Sequence, residues 1–160
     1  MRILTWRDCW HGMLVYSIGD SAAAWISGEF MWTRLIGMAL LGGTLYALEI
    51  PAYFRWIDRR FTGVGRGVQI KRMMVAQAFF NPFWIARHIV FINSFSGQFE
   101  QISWGLIAVG GASFINILPV ALTANYWIQN KISYRWRFFA NAVFSAVMAV
   151  YYALSETWFA

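Results

Sequence analysis

The sequence predicts an all-α fold: a polytopic membrane bundle of four to five transmembrane helices forming a single integral domain over residues 1–160. Three observations lead there. Of the 160 residues 59% are hydrophobic, 19% aromatic and only 12% charged, about half the charged share of an average soluble domain. Five apolar stretches approach the roughly 20 residues a helix needs to cross a ~30 Å hydrocarbon core. The basic residues, which give a net charge of +6, cluster between alternate stretches instead of being spread along the chain.

The first stretch, Cys9 to Ser27, reads CWHGMLVYSIGDSAAAWIS and is the weakest with the last, because it carries His11 and Asp20. Arg2 and Arg7 ahead of it, and Ala22 and Ala24 near its end, imitate a secretory leader, but Asp20 inside the apolar run argues for a retained helix. The second, Leu35 to Trp56, is followed by FTGVGRG, Phe61 to Gly67. That segment lacks the Lys-Ser/Thr ending and preceding strand of a phosphate loop, and reads as a flexible basic connection. Met73 to Phe95 and Ile102 to Ile128 form the third and fourth stretches, with Pro82 and Pro119 expected to kink them. Phe138 to Leu154 is the short fifth. Four spans result if the first or last lies in the interface.

Eleven of the thirteen Lys and Arg residues (Arg2, Arg7, Arg55, Arg59, Arg60, Arg66, Lys71, Arg72, Lys131, Arg135 and Arg137) fall on one side of this arrangement. The positive-inside rule then places the N-terminus inside and, with five spans, the C-terminus outside. Tryptophan and tyrosine favour headgroup depth. Trp10, Tyr53, Trp56, Tyr126, Trp127 and Trp136 mark the inner edge, and Trp25, Trp32, Trp104 and Trp158 the outer one. A faint repeat, Trp32 to Tyr53-Phe54-Arg55-Trp56 and Trp104 to Asn125-Tyr126-Trp127-Ile128, would make two hairpins plus a C-terminal helix, as in repeat-built transporters. Gly37, Gly42, Gly43, Gly105, Gly110 and Gly111 would let helices approach closely.

Ionisable and amide groups at membrane depth are costly unless paired or hydrated, so they are the candidate site. They are Asp20, Glu49, Gln77, Asn81, Arg87, His88 and Asn116, expected to line a pore or bind a solute. Depth along each span pairs Asp20 with Arg87; alternatively Arg87 snorkels outward. Gln77, Asn81, Trp84 and His88 share one helical stripe, Glu49 shares a face with Gly42 and Tyr53, and Asn116 stands with Ser113 and Thr123. Interhelical polar contacts are the plainer explanation for any one amide. One cysteine, Cys9, two histidines and no GxSxG or HExxH give no basis for catalysis, a disulfide, a metal or another cofactor. Ten Trp and fourteen Phe argue against a nucleic-acid partner and for a lipid bilayer.

Four landmarks in order resemble the Mpv-seventeen family, which includes the peroxisomal-membrane-protein-twenty-two type. They are Gly19-Asp20, YFRWIDRRF from Tyr53 to Phe61, KRMMVAQAFFNP from Lys71 to Pro82, and LPVALTANYWIQNKISYR from Leu118 to Arg135. The resemblance covers about Gly19 to Tyr152. It departs at Ala76, where the family has Asp, and at Gln129-Asn130, which replace a Val-Pro. Weaker similarity to the bacterial alanine-exporter family rests on Thr33-Arg34-Leu35 and Asn81-Pro82-Phe83-Trp84. The first resemblance implies passage of small solutes or metabolites across an inner membrane, bacterial or mitochondrial. The second implies export of a small amino acid such as alanine; driven by protons, such export would have Glu49 or His88 titrating. A non-transporting subunit of a larger complex, or a homo-oligomer, suits the short loops and aromatic surface equally well.

Overall fold

The structure, a computed structural model, describes the backbone of residues 4–159 and the side chains of 4–151, 153 and 154. Arg2 and the side chain of Trp158, used above to orient the chain, lie outside the described residues. The fold is all-α, with no strand among the described residues. Its helices are α1 (Trp6–Ile26), α2 (Trp32–Arg60), α3 (Arg66–Phe79), α4 (Pro82–Phe95), α5 (Gly105–Asn130) and α6 (Tyr134–Phe159). Among the described residues two of them, α2 and α5, are long and apolar enough to cross a membrane. The chain divides into two compact units, one of Met1–Ala52 with Phe138–Ala160 and one of Tyr53–Arg137.

Local chemistry sets the helix ends. Thr5 caps α1, its hydroxyl accepting from the Asp8 amide at 3.1 Å, while Asp8 in the first turn complements the positive end of the helix dipole. Both α1 and α4 stop at a Ser-Gly step: Gly28 (φ 73°) and Gly97 (φ 71°) take the left-handed conformation. The next amides, of Glu29 and Gln98, then reach back to Ala24 and Asn93 carbonyls at 2.7 and 2.9 Å. These paired reverse bonds satisfy carbonyls that a helix end leaves open.

In the first unit α1 packs on α2. Within α2 the five residues Gly42–Tyr46 form a π-helical turn, and Gly42 and Gly12 meet backbone to backbone. A Cβ on either would fall inside contact distance of the other's carbonyl group. Gly43 lies against Cys9 and Met13, and Gly19 of α1 against Ala146 of α6. The wide turn also interrupts the regular 3.6-residue register, so the face expected to join Gly42 and Glu49 is not continuous: Gly42 is buried against α1 and Glu49 is half-buried. Tyr16, Tyr46 and Phe138 form the aromatic centre of this unit, with Tyr16 and Tyr46 ring centres 4.9 Å apart.

In the second unit α5 packs on α3 and α4. The expected third span, Met73 to Phe95, is corrected here: it is two helices of 14 residues each, broken at Phe80 and Asn81. The residue before a proline is driven to extended backbone, and Asn81 has φ −72° and ψ 173°. Pro82 then occupies the first helical position, and Asn81 caps it by accepting from the Trp84 amide at 3.1 Å. The Asn81 amide meanwhile donates to the Ala78 carbonyl at 3.2 Å, which serves the end of α3. Replacing Asn81 by Ala is expected to cost about 1 kcal/mol of stability, with Asn81→Asp keeping most of it. Denaturation of the purified variants followed by circular dichroism checks this. Pro119, by contrast, lies inside α5 without ending it.

Candidate functional site

Asp20 and Arg34 are both buried, and the Arg34 Nε and Nη2 donate to the two carboxylate oxygens of Asp20 at 2.8 Å each. The expected Asp20 to Arg87 pair is therefore corrected: Asp20 is held by Arg34 of the same hairpin. Helix α2 begins three residues earlier than the apolar stretch suggested, which brings Arg34 into its first turn. Asp20 sits six residues from the end of α1, about 9 Å at 1.5 Å per residue, within reach of a long arginine. Glu29 adds a looser 3.8 Å contact from an exposed position, and such exposed pairs contribute little.

The Arg87 guanidinium packs on an aromatic face instead, 5.8 Å from the centre of the Trp84 ring. His88 stacks on the same indole at 5.8 Å with the planes 7° apart. Phe80 meets Trp84 edge-on at 5.0 Å. The stripe expected to run from Gln77 through Asn81 to His88 ends at the helix break, leaving Trp84, Arg87 and His88 as a cluster on α4.

Gln77 belongs to a different group. On α3 it is buried, and its Oε1 accepts from Asn125 Nδ2 of α5 at 2.8 Å. One turn further along α5, on the same face, Gln129 is 0% exposed, and neither its Oε1 nor its Nε2 has a hydrogen-bond partner among the described residues. The second acceptor of the pair, Asn125 Oδ1, is open as well. Below them the seam between α3 and α5 continues in polar contacts: Tyr126 donates to Gln69 Oε1 at 2.8 Å, and Asn130 to the Gln69 carbonyl at 3.1 Å. Elsewhere in this unit Arg137 grips both carboxylate oxygens of Asp58 at 2.7 and 2.8 Å and also donates to the Ile132 carbonyl at 2.9 Å.

An amide carries two donors and an acceptor, and leaving such a group buried without partners costs about 1–3 kcal/mol. Gln129 and Asn125 thus hold buried, uncharged donors and acceptors that no group among the described residues satisfies. Sequence reasoning passed over both, although their spacing of four on one apolar helix was a readable signal. Of the seven expected residues the structure joins Arg87 and His88 through Trp84, ties Gln77 to Asn125, uses Asp20 and Asn81 in an ion pair and a cap, and leaves Glu49 half-buried. Asn116 is exposed on α5. No protein-family model, curated protein or solved structure matches the chain.

Proposed function

We propose that the chain is a multi-pass inner-membrane protein, N-terminus inside, that passes small polar solutes, with the buried amides between α3 and α5 on their route. The observation that carries this reading is Gln129, fully enclosed yet with both amide atoms open beside Asn125. In an apolar setting such atoms call for water or a solute. Helices α2 and α5 supply length for a crossing, and α3 with α4 would together form one broken crossing within a total of four to five. The clustering of Arg59, Arg60, Arg66 and Lys71, all exposed, in and beside the α2–α3 connection supports the inside assignment. Resemblance to the Mpv-seventeen family supports passage of metabolites. Among the seven residues read from sequence, Gln77 joins this route directly; Glu49, Arg87 and His88 remain candidates for contact with solute.

The test is solute flux in liposomes reconstituted with the full chain, using glycerol swelling and labelled alanine uptake. Flux above protein-free vesicles is expected, and Gln129→Leu is expected to lower it about tenfold, the equivalent of one lost hydrogen bond to the solute. Flux unchanged by Gln129→Leu removes the amides from the route. A second reading, a non-transporting subunit of a larger assembly, is favoured by the use of Asp20 and Asn81 in closed structural contacts. Absence of any flux from a folded, reconstituted chain would decide for it.

A further inference from the structure

Helix α5 has an outward face that differs from the rest of the surface. Only 11% of its apolar stretch is buried, against 50% for α2. That face is apolar at Val109, Ile115 and Val120, which are 50%, 69% and 53% exposed. In its middle stands Asn116, exposed and without a side-chain hydrogen-bond partner among the described residues. At 1.5 Å per residue it lies about 17 Å from one end of α5 and about 21 Å from the other. Beside it the backbone is also open: Pro119 has no N–H to give, so the carbonyl of Ile115 lacks its helical donor. An exposed amide and a carbonyl without its helical donor thus stand next to each other halfway along an apolar helix. Just beyond, Pro119, Val120, Thr123 and Ala124 border a shallow groove of about 470 Å³.

We infer that this face binds a second copy of the same chain, α5 against α5, with the two Asn116 amides hydrogen-bonded across a two-fold axis along the membrane normal. The inference rests on the bilayer reading given above. Acyl chains offer Asn116 nothing to bond, and each polar group left open in hydrocarbon costs several kcal/mol. A second copy resolves this without further requirement. A two-fold axis along the normal holds the same residue at the same depth in both copies. An amide, being donor and acceptor at once, is complementary to itself, and either NH2 can also reach the partner's open Ile115 carbonyl. Ala112 and Ala108, exposed one and two turns before Asn116 on the same side, let two backbones come close enough for that bond.

The experiment uses the full chain with Cys9→Ser in liposomes at low protein density. Oxidative cross-linking is expected to join copies carrying Ala112→Cys and to leave copies carrying Val147→Cys, an exposed position on α6, as monomers. Asn116→Leu is expected to weaken association about tenfold in a fluorescence-transfer titration, and Asn116→Gln to preserve it. A chain that resists alkaline carbonate extraction yet stays monomeric, or cross-links equally at both positions, overturns the dimer alone and leaves the face to lipid. A chain that carbonate strips from the membrane overturns the bilayer reading itself.

Discussion

Substituting Arg34 by Leu is expected to destabilise the purified protein by about 3–5 kcal/mol, the cost of leaving one partner of a buried ion pair behind. The reason is geometric as well as electrostatic. Both oxygens of Asp20 are engaged by one guanidinium at 2.8 Å, and the Asp20 side chain is only 6% exposed, so water cannot take over the lost contacts. The double variant Asp20→Leu, Arg34→Leu removes the charge together with its counter-charge and is expected to recover most of the loss, because two apolar residues need no solvation. Lysine at position 34 keeps the charge but not the two-pronged geometry, and should fall between. Thermal unfolding in detergent measures all three. Equal stability of the single and double variants would show that the pair contributes nothing specific.

The second large effect concerns bulk. Gly42→Ala is expected to cost about 3 kcal/mol, because the new methyl would be driven into the Gly12 carbonyl group, and a backbone cannot rotate aside as a side chain can. Gly12→Ala should behave alike for the same reason. Gly111→Ala provides the contrast: a Cβ there meets nothing within 4 Å, so only helix propensity changes, and a gain of up to about 1 kcal/mol is expected. If Gly42→Ala and Gly111→Ala shift the melting temperature in the same direction, α1 and α2 do not cross where the structure places them.

Much of the fold was readable from apolar runs and turn residues. The all-α class and the rough position of every long helix follow from hydropathy alone. Hydropathy is blind, however, to the difference between a kinked helix and two helices. Asn81-Pro82 held the missing information, as a cap followed by a proline at the first helical position. The partner of Asp20 was missed because depth was counted from apolar boundaries; the polar Thr33 and Arg34 lie inside the helix that those boundaries excluded. A helical wheel correctly groups Asn116 with Thr123, both exposed. What it does not say is which face turns inward, and the polar residues of α5 divide between the two: Asn125 and Gln129 are buried while Asn116 is not.

The meeting of Gly12 and Gly42 also constrains how this chain can change over time. Where two side chains collide, enlarging one is ordinarily offset by trimming the other. Here neither residue has anything left to trim, so no suppressor exists within the pair. Sequence drift at this crossing is closed from both directions, and relief could come only from a shift of a whole helix.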